Sequence, residues 1–212
     1  HCDPQQVAFC LFSKLTPHQK IQLLSEPALD KKTPLTVLGF LLWEADKNKW
    51  IIKFLMQDLS SQQRIHLLTE LYNFSPVLDG PQMTPEVLAI LFEGATPHDR
   101  MRFLATLKHN RSILMHIAGA TQKSVSDNSK IQTQKIEILE FLFKDLTPEE
   151  IHSLLDYKIH LSSEALAWQG FDASFTPEKG ISVMDIAQHD HHSHMVRFLN
   201  QFHFKAREEA VR

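Results

Sequence analysis

The stretch ILEFLFKDLTPEEIHSLL, residues 138–155, decides the fold that the sequence predicts. One apolar helical pattern runs up to a Leu-Thr-Pro break, and a second apolar helical pattern follows it. The Thr147 hydroxyl can accept hydrogen bonds from the free N–H groups of the next helical turn, and Pro148 suits the first helical position, where no N–H is needed. The stretch therefore predicts two helices separated by a sharp, capped restart.

Variants of this stretch occur four times along the chain, which indicates an internal repeat. In each copy, apolar pairs stand five and six residues before the hydroxyl residue of the break, and seven and eight residues after it. Proline follows this anchor in three copies. The four anchors are Thr16, Ser60, Thr96 and Thr147. The repeat predicts that each copy begins its second helix at the anchor.

A side chain three residues after each anchor can close a reciprocal capping box. Gln19, Gln63 and Glu150 are long enough to reach back to the anchor's backbone N–H, whereas Asp99 is expected to be too short.

A further helix start precedes the repeated stretch. It is marked by a hydroxyl residue followed by proline or an aliphatic residue, in the segments Thr33-Pro34-Leu35, Ser75-Pro76-Val77, Ser112-Ile113-Leu114 and Ser182-Val183-Met184. The complete unit is then helix A, helix B and the Leu-Thr-Pro helix. Such units bury their apolar faces by stacking on their neighbours.

The segment SVMDIAQHDHHSHMVRFL, residues 182–199, resembles an ankyrin repeat. Residues in register with that family's pattern are Ser182, Met184, Ile186, Ala187, His192, Met195, Val196, Phe198 and Leu199. Residues 33–35 and 112–118 are similar. The usual glycine between the helices is His191 here, and the usual histidine of helix A is Thr36, Leu78, Met115 or Asp185. The resemblance implies an all-α, ankyrin-like helical repeat solenoid with an extra Leu-Thr-Pro helix in each unit.

The resemblance divides one domain, residues 1–212, into repeat units. A partial N-terminal unit spans 1–30, the full units span 31–72, 73–109, 110–158 and 159–205, and a C-terminal tail spans 206–212. Two connections are long. Residues 121–134 are polar and are expected to form a solvent loop, whereas the aromatic residues of 157–180 are expected to pack on the protein.

Composition excludes several classes of function. The net charge of −3 gives no broad nucleic-acid footprint. The longest apolar run, residues 37–43, is far shorter than the ~20 residues of a membrane span. With only Cys2 and Cys10, the chain is not a disulfide scaffold and suits a reducing, cytoplasmic compartment. No cofactor is expected.

Three groups of side chains could carry chemistry. The histidines of 189–194 are dense enough to raise a metal site, but their register places them in the turn between helices, where a structural role is favoured. His192 falls where ankyrin repeats place a histidine that braces neighbouring turns. Cys10 is expected to be a core residue. Arg100, Arg102, Lys108 and Arg111 are expected to form a solvated basic face.

The resemblance implies a module that binds a protein partner, without turnover, on a concave face of A helices and their preceding loops. The candidate contact residues are Lys31, Lys32, Phe40, Phe74, Arg111, Trp168, Phe171, His189 and Asp190. A further likeness, to ankyrin-type proteins that intracellular bacteria deliver into host cells, implies a host protein as partner and action in the host cytoplasm. The alternatives are the recognition domain of a larger enzyme, a hydrolase cleft beside the aromatic insert, and a self-associating scaffold.

Overall fold

The computed structural model describes residues 10–27, 36–71, 83–108, 111–119, 128–168, 171 and 175–210. Within them the protein is mainly helical, and one two-stranded antiparallel hairpin is the only sheet, so the prediction of an all-α chain is confirmed. The chain forms two compact units, His1–Ala95 and Thr96–Arg212. They are called unit 1 and unit 2 below.

Residues 10–12 of unit 1 are helical, and five further helices follow among its described residues. They are α1 (Pro17–Ser25), α2 (Val37–Trp43), α3 (Ala45–Met56), α4 (Ser61–Leu71) and α5 (Pro85–Leu91). Helices α1 and α4 are the Leu-Thr-Pro helices of the first two copies. Helix α2 is an A helix, and α3 and α5 are B helices.

Unit 2 begins with the third Leu-Thr-Pro helix. Its described elements are α6 (Pro97–Ala105), β1 (Leu107–Lys108), β2 (Arg111–Ser112), α7 (Ile113–Ala118), α8 (Asn128–Phe143), α9 (Pro148–Asp156), α10 (Ser163–Trp168), α11 (Val183–His189) and α12 (Ser193–Ala210). Helices α7 and α11 are A helices, α8 and α12 are B helices, and α9 is the fourth Leu-Thr-Pro helix.

The predicted anchors cap their helices. Thr16, Thr96 and Thr147 each accept a hydrogen bond from the backbone N–H three residues on, and a proline occupies the first turn of each helix. Ser60 does the same with the Gln63 N–H, at 3.2 Å. The expectation for Asp99 was wrong, because its Oδ2 accepts the Thr96 N–H at 3.0 Å and closes the capping box.

The same caps explain the lowered pKa of two carboxyl groups, Asp99 and Glu149. The backbone N–H of Thr96, and then its hydroxyl, lower the pKa of Asp99. The pKa of Glu149 is lowered by the backbone N–H of Glu149 itself and then by the Thr147 hydroxyl. A carboxyl group whose pKa is lower in the folded chain than in the unfolded chain stabilises the fold. This stabilisation is present at a pH above the pKa of the unfolded chain and is lost as the pH falls through the pKa of the folded chain. These carboxylates are therefore helix-start groups that favour folding at neutral pH.

The core of each unit is built from the apolar pairs of the repeat. Leu24, Leu55, Leu68 and Leu91 are buried in unit 1, and Leu104, Leu142, Leu155 and Leu199 are buried at the corresponding places in unit 2. Since burying a leucine side chain contributes about 2 kcal/mol, these repeated pairs are a main source of stability.

Three buried cations join successive copies of the repeat. Lys20, Arg64 and Arg100 each stand four residues after an anchor, on a Leu-Thr-Pro helix, and we call them the seam cations. Each reaches the end of the following B helix, where backbone carbonyls have no partner within the helix. The distances are 3.5 Å from Lys20 Nζ to the Phe54 oxygen, 3.0 Å from Arg64 Nη1 to the Ile90 oxygen and 3.1 Å from Arg100 Nη1 to the Phe141 oxygen.

An exposed carboxylate completes each of these contacts. Asp58 lies 2.6 Å from Lys20, Glu93 lies 2.9 Å from Arg64 and Asp145 lies 3.3 Å from Arg100. The cation is buried and its carboxylate faces solvent, so each charge is both paired and partly hydrated. The pairs join α1 to the end of α3, α4 to the end of α5, and α6 to the end of α8.

The fourth copy has apolar residues at both positions of this contact. Ile151 stands where the seam cation would be, and it is buried. The following B helix, α12, continues without a break to Ala210, so it has no free carbonyls at that point to bind. Phe202 stands where the acid would be, and its ring lies 5.3 Å from Phe143 and 5.2 Å from Phe198. Both partners of the contact have therefore changed together.

Two sequence expectations about individual segments were wrong. Cys10 is exposed, because no described helix packs over it as α1 packs over the end of α3 through Lys20 and Phe54. Residues 128–134 form the first two turns of α8 instead of a solvent loop. These residues are polar but helical, and the side chain of Gln132 among them is buried. Residues 121–127 lie outside the described part of the chain.

Within the part of the chain that the structure describes, no helix combines the length and the apolar character needed to span a membrane.

Candidate interaction surface

Three loops occupy the same place in the repeat, between a Leu-Thr-Pro helix and the next A helix. Each is closed by an antiparallel pairing: Pro27 with Thr36, Leu107 with Ser112, and Ile159 with Ile181. We call the connections bounded by these pairs, residues 27–36, 107–112 and 159–181, the first, second and third finger loops. Residues 28–35, 109–110, 169–170 and 172–174 lie outside the described part of the chain, and the third finger loop includes α10. The three loops differ greatly in length although their closing residues correspond.

The closure follows from the helix caps. Thr36, Ser112 and Ser182 cap the A helices α2, α7 and α11, which fixes where each loop must end. The carbonyl of the residue that ends the preceding Leu-Thr-Pro helix then accepts a backbone N–H across the loop, at 2.8 Å from Val37 to Glu26 and at 3.0 Å from Ile113 to Thr106. Ile159 and Ile181 exchange two such bonds. A constant frame thus carries variable loops, an arrangement typical of binding surfaces.

Large apolar side chains are exposed at the start of two finger loops. Leu107 is 50% exposed in β1, and Tyr157, two residues before the third finger loop, is 43% exposed. They stand eleven and ten residues after their anchors, so they hold adjacent positions in the repeat. Neither residue was predicted as a contact. No pattern across the copies marks them, because the first copy has Glu26 and Pro27 at these two positions.

Helix α2 in unit 1 exposes an aromatic pair. Phe40, which the sequence predicts as a contact, is 55% exposed, and Trp43 is 49% exposed. They are three positions apart in the sequence, so they lie on one side of the helix. The opposite side of α2 buries Leu38, Gly39 and Leu42. An A helix with apolar residues on both its buried and its exposed side is unusual for a surface that meets only water.

Several predicted contact residues lie outside the described part of the chain. They are Lys31, Lys32 and Phe74. Trp168 is the last residue of α10, and its side chain lies outside what the structure describes.

Phe171 packs inside unit 2 and does not present its ring to a partner. It is 7% exposed, and its ring centroid lies 4.9 Å from that of Phe175 and 4.3 Å from the imidazole of His189. Lys179 Nζ lies 5.7 Å from the Phe175 ring. The expectation that the aromatic insert packs on the protein is therefore confirmed, and for Phe171 this packing replaces the predicted role as an exposed contact.

His189 and Asp190 form a supporting pair at the end of α11. Nδ1 of His189 lies 2.8 Å from Oδ1 of Asp190, and both side chains are mostly covered. Two residues on, the buried His192 places Nδ1 3.0 Å from the carbonyl oxygen of Ala118, at the end of α7. The predicted bracing role of His192 is confirmed. The structure thus places His189 and Asp190 beside a contact between neighbouring A helices.

The residues of the predicted basic face lie in different environments. Arg100 is a buried seam cation, so its assignment to a solvated face was wrong, whereas Arg102 is exposed. Arg111 is half-buried in β2 and pairs in register with Lys108 of β1. In the described ranges, no group of three or more His, Cys, Asp or Glu side chains is arranged to hold a metal ion.

His191 occupies a strained backbone position. Its φ is +57°, in the left-handed region where side chains other than glycine cost about 1–2 kcal/mol. We expect His191→Gly to raise the free energy of unfolding of unit 2 by about 0.5–1 kcal/mol, the strain relieved minus the greater flexibility of glycine in the unfolded chain. Urea titration followed by circular dichroism measures it. The nearby exposed His194, replaced by glycine inside α12, should instead lose stability, and a loss in both variants would contradict the strain.

The geometry of these surfaces is the only guide to function, because a scan against protein-family models finds no match, and searches of curated proteins and of solved structures return no similar protein.

Proposed function

We propose that the chain is a protein-binding helical-repeat module that contacts its partner through the finger loops and the adjoining A helices. The observation that carries the proposal is the exposure of large apolar side chains at these elements: Phe40 and Trp43 on α2, Leu107 in β1 and Tyr157 before the third finger loop. Tryptophan and tyrosine are enriched among the few residues that supply most of the binding energy in protein interfaces, and Trp43 and Tyr157 are such residues here.

Two further features support the proposal. The closing residues of the finger loops are held by backbone hydrogen bonds, so a partner would meet a prepared surface and would lose less conformational entropy on binding. The His191 backbone also adopts the left-handed conformation at the position where the ankyrin pattern has glycine. An ankyrin-like stack, with its concave binding face, is the architecture we propose for the chain. A host protein as partner rests on the sequence resemblance alone.

Photo-crosslinking tests the proposal directly. A benzoylphenylalanine side chain is introduced at position 40, 43, 107 or 157 of the full chain, and crosslinked proteins are identified by mass spectrometry. Matched controls carry the same side chain at Gln62 and Ser153, which are exposed on the Leu-Thr-Pro helices α4 and α9 of the same two units. We expect one partner to crosslink from finger-loop or A-helix positions and not from the controls.

Affinity for the purified partner then measures the contribution of each anchor. We expect Tyr157→Ala or Trp43→Ala to weaken binding by about tenfold or more, equivalent to about 1.4 kcal/mol, as for a central interface residue. Gln62→Ala and Ser153→Ala should leave the dissociation constant unchanged. Crosslinking of equal yield from the control positions would defeat the proposal. So would an unchanged affinity when each of Phe40, Trp43, Leu107 and Tyr157 is replaced by alanine in turn.

A hydrolase cleft at the aromatic insert receives less support. Both cysteines of the chain belong to unit 1, whereas the insert belongs to unit 2, so its surroundings within unit 2 contain no cysteine nucleophile. Self-association is the other alternative, and sedimentation velocity of the full chain over a range of concentrations distinguishes it from binding to a different protein.

A further inference from the structure

An ionisable side chain, His189, packs against the aromatic segment of the third finger loop. The centroid of its imidazole ring lies 4.3 Å from that of the Phe171 ring, which belongs to the loop. Phe171 is buried, and its backbone N–H donates to the Leu166 oxygen of α10 at 3.1 Å. The Phe175 ring lies 4.9 Å from that of Phe171. The loop is therefore packed in part on a group whose charge changes with pH.

The same imidazole contacts a carboxylate that connects it to α7. Nδ1 of His189 lies 2.8 Å from Oδ1 of Asp190. The other carboxylate oxygen, Oδ2, lies against Gly119 at the end of α7, 2.9 Å from the position that an added Cβ would take. The side chains of His189 and Asp190 are 27% and 15% exposed, so water reaches the pair only in part. His189 thus connects the finger loop to a neighbouring A helix.

Protonation of His189 strengthens both of its contacts. The neutral ring can donate its Nδ1–H to Asp190, and the charged ring adds an ion pair to that hydrogen bond. The charged ring also adds a cation–π attraction to Phe171, since the two rings lie within the ~6 Å over which that attraction acts. Loss of the proton removes both electrostatic contributions and leaves the packing and the neutral hydrogen bond.

Other titratable groups surround this pair. Lys135 of α8 donates to the Gly119 oxygen at 2.6 Å, and its positive charge disfavours a second cation nearby. Asp185 of α11 accepts from the N–H and the hydroxyl of Ser182. At hydrogen-bonding distance, the Asp190 carboxylate has the largest effect on His189, so the charged form of the ring is favoured. The remaining groups on neighbouring elements are His116 of α7, His152 and Asp156 of α9, His191 and His192 of the following turn, Arg197 of α12, and Glu178 and Lys179 of the loop.

We propose that His189 is a pH-sensitive latch on the third finger loop: its protonated ring holds Phe171 beside Asp190 and the end of α7, and loss of the proton loosens the loop. A histidine whose charged form is favoured in the folded chain adds stability that is complete below the pKa of the unfolded chain. This stability is lost as the pH rises through the higher pKa of the folded chain. Because imidazoles titrate near ~6.5, the latch closes as the pH falls within the physiological range.

NMR titration of the full ¹⁵N,¹³C-labelled chain tests the latch without any partner, so the result is independent of what the finger loops bind. The titration runs from about pH 5 to about pH 9, the range in which imidazoles change charge. We expect the pKa of His189 to be higher in the wild-type chain than in Asp190→Asn or Phe171→Leu. The amide signals of Phe171 and Phe175 should shift with the same midpoint as the His189 ring.

Hydrogen exchange at the Phe171 amide measures the strength of the latch, because that N–H is bonded within the loop. After correction for the intrinsic rate, its protection should fall about two- to fivefold as the pH rises through the His189 titration, the effect of one partly exposed ion pair. His189→Gln should remove this pH dependence. His160→Gln is the matched control and should leave it unchanged, since His160 is an exposed histidine of the same loop whose Nδ1 meets the Pro177 carbonyl oxygen at 2.8 Å.

Three results would overturn the latch. One is a His189 pKa in the wild-type chain that is no higher than in Asp190→Asn. Another is loop amide signals that do not follow the His189 titration, and the third is a pH dependence that disappears in His160→Gln and persists in His189→Gln. If His189→Gln unfolds unit 2, Asp190→Asn makes the same test with a side chain of the same shape. It should reduce the Phe171 protection at about pH 6, where the wild-type ring is charged, to the wild-type value at high pH.

Discussion

Arg100→Met should lower the free energy of unfolding of unit 2 by about 2–3 kcal/mol, because it leaves the Phe141 carbonyl at the end of α8 without its donor. Methionine retains most of the apolar stem, so the loss reports the hydrogen bonds more than the packing. Urea denaturation of the full chain measures the change, with probes that follow unit 1 and unit 2 separately, since two compact units need not unfold together.

Two companion variants distinguish a seam cation from an ordinary surface ion pair. Asp145→Asn, which suits the left-handed backbone at this position (φ +66°), should cost less than Arg100→Met, because this carboxylate is exposed and the contact from Arg100 to the Phe141 oxygen remains. Arg100→Lys should cost under about 1 kcal/mol, since Lys20 makes the same contacts to a carbonyl and a carboxylate in the first copy. If Asp145→Asn cost as much as Arg100→Met, the carbonyl contact would not be the main contribution.

The second large effect is expected at Gly119. An added Cβ would meet Asp190 Oδ2 at 2.9 Å, Ile186 Cγ2 at 3.0 Å and the Met115 oxygen at 3.2 Å. Two of these neighbours are side chains of the next helix pair and one is backbone, so either the Asp190 and Ile186 side chains shift or α7 and α11 move apart. We expect Gly119→Ala to reduce the free energy of unfolding by about 1–3 kcal/mol, as overpacking of a tight interior does.

A double-mutant cycle identifies the cause of that loss. In an Asp190→Ser background, Gly119→Ala should cost at least about 0.5 kcal/mol less, because the closest of the three contacts has been removed. Gly94→Ala is the contrasting substitution, since no atom lies within 4 Å of its added Cβ and only its φ of +73° opposes the change. If Gly119→Ala lowered the free energy of unfolding equally in both backgrounds, the contact with the Asp190 carboxylate would not be the cause of the loss.

The helices and their starts could be predicted because the evidence for them is local. A hydroxyl residue followed by proline fixes a helix start through atoms within three residues, and Thr16, Thr96 and Thr147 cap as expected. The error at Asp99 arose from side-chain length alone, whereas the extended backbone of Thr96 brings its N–H within reach of the shorter carboxylate.

The contacts between copies could not be predicted in the same way. A lysine or arginine on an amphipathic helix is usually solvated, and nothing local marks Arg100 as buried. Only a comparison of the four copies points to the buried position. A cation stands four residues after three of the anchors, and an isoleucine stands four residues after the fourth. The sequence also did not distinguish exposed from buried aromatic residues. Phe40 and Phe171 were both predicted as contacts, but Phe40 lies on the surface and Phe171 is covered by Phe175 and His189.

The seam cations have a consequence for how the protein tolerates change. Each one recognises main-chain oxygens, which every amino acid provides, so a substitution in the following B helix leaves the joint intact as long as the helix ends at the same place. The loops between joints are likewise free to lengthen, because neither partner of a joint lies in a finger loop. Most surface residues of this chain, including those that contact other molecules, can therefore be substituted while the three seam cations keep successive copies of the repeat joined.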